Sequence, residues 1–483
     1  MNFVYRTLAF LQIVWAHEYE FTAKDMTEKY LRLSDPTITS ISDNIIGCKD
    51  LEKLELFNTK IASLPSAIGE LENLKYLTIT NNRNLESLPE GLFNCSELIT
   101  LSLANNKLTS LSDKIGRLEN LEKLNLSSND LKVLPAGLCK CLKLQELDIR
   151  YNKLASLPDD IGKLEWLKVL DCKCNELEEI PKSIGNCKKM ENLNLSSNYF
   201  VDLPNEIEDL KDLTSLDLSY NQFKQVLAAI GRCLQLNELN LSFNKLEKLN
   251  ATIEDLKDLT SLNLSYNNFK DFPAAIEKCL KLKTLNLDHN RLQKLDAKLG
   301  DLKDLKCLNL SYNEFKEFPD KLGELKNLRE LDLCGNQLKD ISPRIEEFKK
   351  LDRLRLSGNH LKLFPLILTK LTDLKLLDLS KNQLGTLPAE IENLKKLRIF
   401  CLNDNKLKCL PGSIRRLSEL SVLDIENNEF NDLFFKLRNF FSSITMPFWL
   451  WWNQGYESLD SGINETSLYK KELEEWFGDR IQF

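Results

Sequence analysis

Leucines recur along most of the chain in a fixed pattern in which two of them flank one variable residue. The segment LNLSSNDL that begins at Leu124 is one example. Its first leucine position returns every 23 residues from Leu101 to Leu423, and it continues upstream to Leu31 with one extra residue after Leu77. Because successive side chains of a strand point to opposite sides, each Leu-x-Leu predicts a short strand with both leucines facing an interior. The repeat therefore predicts about 18 stacked coils, each adding one parallel strand.

Proline and asparagine hold fixed places in the same repeat. Eleven of the 14 prolines stand at one position, from Pro65 to Pro411. Proline cannot donate a hydrogen bond to a strand ladder, so this position marks where each coil has left the strand. An asparagine such as Asn129 follows each strand and marks the turn toward the interior. Together these positions predict one solenoid over residues 29–440.

The combined pattern, LxxLxLxxNxL followed by LPxxIGxL, resembles the leucine-rich-repeat family over these coils. The 23-residue coils are most similar to those of the Ras-scaffold and plant intracellular Ras-group-related leucine-rich-repeat proteins. The resemblance implies an α/β solenoid, a curved horseshoe with short parallel strands on the concave face and turns or short helices on the convex face. It also implies that the turn asparagine bonds neighbouring backbone.

Composition and motifs narrow the range of functions. A net charge of −7 disfavours a nucleic-acid partner, which needs an excess of clustered cations. The three histidines and the lack of nucleotide-binding, metalloprotease or hydrolase motifs predict a protein that is not an enzyme and uses neither cofactor nor metal. No apolar run reaches the length of a membrane-spanning helix, so no transmembrane segment is expected.

Six cysteines replace an inward leucine in every second coil, and we call this set the cysteine ladder. Equivalent atoms two coils apart lie roughly 10 Å from each other. A disulfide needs Cα atoms within about 7 Å, so the ladder is predicted to be reduced and to serve as small buried apolar side chains. Its members are Cys48, Cys95, Cys141, Cys187, Cys233 and Cys279.

Both ends of the chain depart from the repeat. Arg6, an apolar stretch over residues 7–16 and the small residues Val14 and Ala16 predict a signal peptide over residues 1–16 and a secretory location. The alternative is an N-terminal cap on a cytoplasmic protein. Residues 17–28 are expected to cap the first coil. Residues 441–483, which are rich in aromatic residues, predict a C-terminal aromatic and helical cap, with a membrane-surface patch as the alternative.

Two rows of outward positions are candidates for a partner site. In five successive coils the residue before the turn asparagine is an aromatic ring or a histidine, and the last strand residue is a small polar one that we expect to face solvent. The ring row is Tyr220, Phe243, Tyr266, His289 and Tyr312, and the polar row is Asp217, Asn240, Asn263, Asn286 and Asn309. Rings beside amides on a rigid sheet are typical of a protein-binding hot spot. The alternative is that the rings stack between coils and only stabilise the turns.

A mixture of charges in later coils is interpreted as ordinary surface. It contains Arg329, Arg353, Arg355, Lys375 and Arg398 together with Asp332, Asp352 and Asp378.

Because the sequence predicts no catalytic site, we expect the function to depend on a surface that binds a partner. The sequence predicts non-catalytic protein–protein recognition through the concave face, as a scaffold, adaptor or secreted recognition module. The alternative is a cytosolic regulatory subunit or scaffold of small-GTPase or phosphatase signalling. The partner is expected to be a protein, whose identity the sequence does not indicate.

Overall fold

The computed structural model describes residues 17–226 and 228–429 and the backbone of residues 449–450. The chain divides into two compact units, Met1–Gln222 and Phe223–Phe483, which we call the first unit and the second unit. In both, a coil consists of a short strand, a turn with a buried asparagine, and in most coils a 3₁₀ helix on the opposite side. The predicted α/β leucine-rich-repeat solenoid is confirmed, and its helices among the described residues are 3₁₀ rather than α.

The first unit contains a parallel sheet and a separate pair of strands. Strands β2 and β4–β11 pair in parallel in chain order, and leucine lies beside leucine in the register, as Leu54 beside Leu77 and Leu193 beside Leu216. The strands are β1 (His17–Tyr19), β2 (Tyr30–Leu33), β3 (Ile38–Ile41), β4 (Lys53–Phe57), β5 (Tyr76–Thr80), β6 (Thr100–Ser102), β7 (Lys123–Asn125), β8 (Glu146–Asp148), β9 (Val169–Asp171), β10 (Asn192–Asn194) and β11 (Ser215–Asp217). The 3₁₀ helices are Asp25–Thr27, Asp43–Gly47, Ser66–Glu70, Glu90–Asn94, Asp113–Arg117, Ala136–Lys140, Ile161–Lys163, Lys182–Asn186 and Asn205–Asp209.

The second unit repeats the same arrangement. Its strands β12–β20 pair in parallel with Leu239, Leu262 and Leu285 in register, and the backbone of β21 pairs with β20. The strands are β12 (Glu238–Asn240), β13 (Ser261–Asn263), β14 (Thr284–Asn286), β15 (Cys307–Asn309), β16 (Glu330–Asp332), β17 (Arg353–Arg355), β18 (Leu376–Asp378), β19 (Ile399–Cys401), β20 (Val422–Asp424) and β21 (Trp449–Leu450). The 3₁₀ helices are Ala228–Arg232, Ala251–Asp255, Ala274–Lys278, Asp320–Glu324, Pro343–Glu347, Leu366–Lys370, Ala389–Asn393 and Gly412–Arg416.

The repeated prolines lie where the 3₁₀ helices begin. Pro65 has a φ of −68°, which its ring imposes in any conformation, and its carbonyl accepts the Ile68 N–H at 3.1 Å. Neighbouring helices approach each other closely. A Cβ built on Gly162 would lie only 2.0 Å from the Ser183 carbonyl oxygen of the next coil, so a larger residue would not fit at this distance. The glycine in this turn therefore sets how closely two coils can stack.

The turn asparagines join successive coils, as the family resemblance implied. Asn267 is 7% exposed, and its Oδ1 accepts the Leu246 N–H of the preceding coil at 2.9 Å. Its Nδ2 donates to the Leu241 carbonyl of that coil at 2.9 Å and to the Leu264 carbonyl of its own coil at 3.1 Å. The side chain thereby satisfies buried backbone groups that no strand ladder reaches.

All thirteen cysteines are free thiols, and every member of the cysteine ladder is buried. The thiol of Cys95 donates to the Ile68 carbonyl at 3.2 Å, and that of Cys141 donates to the Ile115 carbonyl at 3.3 Å. Burial raises the pKa of both thiols to about 12. The predicted reduced ladder is confirmed.

The first described residues lie against the first coil. Strand β1 pairs in parallel with β3, Phe21 is 4% exposed, and its N–H donates to Asn44 Oδ1 at 3.2 Å. The proposed signal peptide over residues 1–16 lies outside the described residues, as does the C-terminal cap over 441–483 apart from the backbone of β21. Within the described part of the chain, no helix has the length and hydrophobicity to cross a bilayer.

Candidate functional site

Four of the five predicted ring residues stack on one another in the second unit. The ring centroids lie 3.9 Å apart from Phe243 to Tyr266, 4.0 Å from Tyr266 to His289 and 4.2 Å from His289 to Tyr312. Their planes diverge by only 10°, 10° and 19°. We call these four residues the ring stack. Tyr220 and Asp217, the first members of the two predicted rows, belong to the first unit.

The backbone under the ring stack has a conformation that disfavours large side chains. The residue before each turn asparagine has a positive φ, between 49° and 54° in the ring stack. This left-handed region favours glycine, asparagine and aspartate. Some other coils follow that preference, with Asn58, Asn81 and Asn105 in the first unit and Gly335 and Gly358 in the second, whereas others have Ser128, Cys174, Ser197 or Lys381 at this position. Rings in four successive coils therefore occur in spite of the backbone.

The ring stack is also exposed at its edges. Tyr266 is 38% exposed and Tyr312 is 54% exposed, while Phe243 and His289 are half-buried. His289 Nδ1 lies 2.7 Å from an oxygen of Asp288, and the Ser311 hydroxyl donates to the same oxygen at 2.8 Å. The structure thus shows the stacking that the sequence offered as the alternative, together with ring edges that remain open to a partner.

The polar row has a local role that sequence reasoning missed. Each of its Oδ1 atoms accepts the backbone N–H of the residue two positions later, at 2.9 to 3.1 Å. These side chains are half-buried rather than simply turned to solvent. The same bond recurs at Asp148 and Asp171 in the first unit and at Asp332 in the coil that follows Tyr312. That recurrence of Asn or Asp at one repeat position was the sequence signal for a turn-stabilising role.

Three cations lie at the opposite end of strands β14, β15 and β16, of which β14 and β15 also lead to His289 and Tyr312 of the ring stack. Lys283, Lys306 and Arg329 are the residues directly before β14, β15 and β16, and we call them the cation row. All three are exposed, and among the described residues none has a carboxylate oxygen within 4.0 Å of its side-chain nitrogens. Sequence reasoning named Arg329 alone. The signal for the other two was the recurrence of Lys at the same repeat position.

Most of the remaining charges of the later coils are paired, in keeping with their interpretation as ordinary surface, while Asp378 accepts the Ser380 N–H at 3.0 Å. Arg355 bonds Glu330 and lies 4.0 Å from Asp332, and Arg353 lies 3.7 Å from Glu330. Burial raises the pKa of Asp332. Two further pairs join Lys375 to Asp352 at 3.8 Å and Arg398 to Glu419 at 2.9 Å.

Family models for leucine-rich repeats match most of the chain. The model described as a leucine-rich repeat region matches residues 16–133 and 135–252. Models of single and multiple leucine-rich repeats match residues 258–279, 280–338, 326–367 and 372–430. No curated protein sequence matches the chain.

Solved leucine-rich-repeat structures resemble the chain over most of its length. A leucine-rich-repeat protein of Leptospira interrogans is 31% identical with a TM-score of 0.67, covering 89% of this chain and 99% of that chain. The Arabidopsis receptor kinase HAESA ectodomain, solved with an N-terminal extended IDA peptide hormone, is 27% identical with a TM-score of 0.58, over 80% of this chain and 72% of that one. The TLR13–ssRNA13 complex, 23% identical over 87% of this chain and 70% of that one with a TM-score of 0.70, shares the fold.

Proposed function

Because this chain belongs to the leucine-rich-repeat family, we propose that it is a non-catalytic recognition protein that holds a protein or peptide partner against the strand face of its second unit. The observation that carries this proposal is the exposed ring stack on left-handed backbone. The similar HAESA ectodomain was solved with a peptide hormone, and this supports a polypeptide as the partner class.

The free-energy balance of the ring stack supports a role beyond turn packing. A non-glycine residue held in the left-handed region costs on the order of 1–3 kcal/mol. An aromatic pair returns about 0.5–1.5 kcal/mol beyond the area it buries. Stacking therefore offsets the free-energy cost of the backbone conformation, but it does not make the rings more stabilising than the asparagines at the same position in other coils. Exposed rings on a rigid support are well suited to anchor a partner. Their side chains are already ordered in the folded protein, so binding costs little further conformational entropy.

Replacement of one ring separates recognition from stability. Tyr266→Asn puts a residue suited to the left-handed backbone in the middle of the ring stack, so we expect the free energy of unfolding to change by less than about 1 kcal/mol. Partner capture should weaken by roughly 30-fold, the effect of losing about 2 kcal/mol from an interface centre. Quantitative pull-down from the native source measures partner capture, and urea denaturation measures the free energy of unfolding.

The matched control is Tyr151→Asn in the first unit. Tyr151 has the same left-handed backbone, with a φ of 55°, and is 49% exposed. Its replacement should leave capture unchanged. If both variants capture partners as well as the wild type while Tyr266→Asn alone loses stability, the ring stack is turn packing and the proposal fails.

A second candidate is the cytosolic scaffold or regulatory subunit of small-GTPase or phosphatase signalling. The thirteen free thiols favour it, because one of them, Cys409, is exposed, and reducing compartments preserve such groups. The secreted form of the proposal rests on cleavage after Ala16, which would leave β1 intact from His17 onward. N-terminal sequencing with the intact mass of the native protein separates the two. A chain that starts at His17 supports secretion, and one that retains Met1 supports the cytosolic scaffold.

A further inference from the structure

The cation row is an exception within its own repeat position. Elsewhere at this position a lysine pairs with an acid of the adjacent coil, as Lys75 does with Glu52 at 3.1 Å and Lys168 with Glu191 at 3.5 Å. Lys283, Lys306 and Arg329 follow one another without an intervening acid. The next residue at this position, Asp352, pairs with Lys375.

Three like charges this close repel one another. Adjacent strands lie about 4.8 Å apart, and two unit charges at that separation in water would repel by roughly 1 kcal/mol, an upper value because the long side chains can spread apart. In a chain with a net charge of −7 the row is a local concentration of positive charge. An anionic group lying along the row would relieve this repulsion, since each cation is exposed and has no carboxylate partner among the described residues.

The cation row and the ring stack share strands β14 and β15. Lys283 precedes β14 and His289 follows it, and Lys306 and Tyr312 flank β15 in the same way. Six residues of extended chain separate the two borders, at most about 20 Å. The strand positions between them carry small polar side chains, and the amides of Asn286 and Asn309 use Oδ1 for the turns. Their Nδ2 groups have no acceptor among the described residues and can donate to the carbonyl groups of a partner.

From this arrangement we infer that the partner segment is an extended, acidic peptide that lies across β14–β16, with carboxylates toward the cation row and apolar side chains toward the ring edges. This inference rests on the proposed function. Alternate side chains of an extended peptide point to opposite sides. Carboxylates two residues apart are roughly 6.8 Å from each other, within the length of about 10 Å that three cations span.

A single-stranded nucleic acid fits the same surface less well. Its bases would need open ring faces, and the faces inside the ring stack are closed at 3.9 to 4.2 Å. The Asp288 carboxylate beside His289 would repel any anionic group at the ring stack, which leaves the cation row as the place for the carboxylates of the peptide. Ring edges and amide donors suit aliphatic side chains and peptide carbonyls instead.

The test measures binding of a short fluorescein-labelled peptide of alternating aspartate and leucine to the full-length protein by fluorescence anisotropy at low salt. Lys306→Glu, in the middle of the cation row, should weaken binding by at least about tenfold, and added salt should weaken wild-type binding. Lys168→Glu is the matched control in the first unit and should bind as the wild type does. Lys306→Gln should give an intermediate loss, and thermal melts should show all variants folded.

Several outcomes overturn the inference. They are failure of the wild type to bind this peptide, equal binding of a peptide with lysine in place of aspartate, indifference to Lys306→Glu, and tighter binding of a short single-stranded RNA. Pull-down of the native partner keeps the two proposals apart. Capture that depends on Tyr266 but not on Lys306 retains the proposed function and rejects the acidic peptide, whereas capture that depends on neither rejects both.

Discussion

Two asparagines of one coil, Asn267 and Asn263, have different surroundings and make different hydrogen bonds. Asn267 lies buried in the turn and satisfies backbone groups of two coils, while Asn263 ends β13 half-buried and accepts one N–H, from Ser265 at 3.1 Å. The repeat pattern distinguishes the turn position from the strand position. It does not show that both are used by the backbone.

Their replacement should reveal the difference. Asn267→Ala leaves the Leu246 N–H buried without a partner and removes one of the two side-chain amides that donate to the Leu241 carbonyl, so we expect a loss of about 2–3 kcal/mol in the free energy of unfolding. Asn263→Ala removes one bond near solvent and should cost about 0.5–1.5 kcal/mol. Urea denaturation measures both. A solvent-facing Asn263, as the sequence suggested, would instead cost less than about 0.5 kcal/mol.

Buried leucines of the strands provide the scale for these values. Leu262, between Ser261 and Asn263, is 1% exposed. Leu262→Ala removes packing that the rigid neighbouring coils cannot fill, and we expect it to cost about 2–5 kcal/mol. A cost for Asn263→Ala that equals the cost for Leu262→Ala would reverse the inward and outward assignment of the strand.

At the scale of the elements, the distance between neighbouring 3₁₀ helices depends on glycine. Gly162 is the second residue of the helix Ile161–Lys163 and lies against the Ser183 carbonyl of the next coil. No side chain fits there unless one of the two coils moves. Gly412, at the start of the helix Gly412–Arg416, has no atom within 4 Å of a Cβ built on it. The same residue type therefore has a packing role in one helix and none in the other.

Alanine substitutions separate these two glycines. Gly162→Ala should lower the free energy of unfolding by about 1–3 kcal/mol, because the added methyl group forces two coils apart. Gly412→Ala should be neutral or stabilise by up to about 1 kcal/mol, since it restricts the unfolded chain. Thermal and urea unfolding of the two variants test this, and equal effects would contradict the close approach at Gly162.

For the whole molecule, the cysteine ladder ties stability to alkaline pH. Burial raises the pKa of Cys95, Cys141 and Cys187 to about 12 and that of Cys279 to about 11, from an ordinary value of 9.0. Between pH 9 and these values the unfolded chain loses thiol protons that the folded chain keeps. The stability contributed by the neutral thiols is fully present below pH 9 and is lost as the pH rises toward 12.

We therefore expect the free energy of unfolding to fall between pH 9 and pH 11, measured by urea denaturation under reducing conditions. Lysines and tyrosines titrate in the same range, so the comparison between variants is decisive. Cys141→Ala should show a shallower fall than the wild type, and Cys409→Ala, which removes an exposed thiol, should show the same fall. Identical slopes for all three proteins would mean that the ladder thiols ionise as freely in the folded chain as in the unfolded one.

Much of this molecule could be predicted from its sequence because each coil contacts only the coils beside it. The 23-residue period determined the strands, the inward leucines such as Leu262, the buried turn asparagines and the spacing that keeps the ladder cysteines apart. Each of these depends on position within one coil and on the fixed distance to the next. A repeated pattern contains both.

The candidate site depended on what the period does not contain. The left-handed backbone under Tyr266, the closed ring faces, and the N–H that occupies Asn263 Oδ1 follow from backbone conformation and hydrogen bonding. Within the described ranges Lys168 has an acidic partner and Lys306 has none, and this difference depends on side chains 23 residues away in the chain that stacking brings together. Only the tertiary structure decides such pairings, because the neighbours of a side chain in space, and not its position in the repeat, determine which of its polar groups are already bonded.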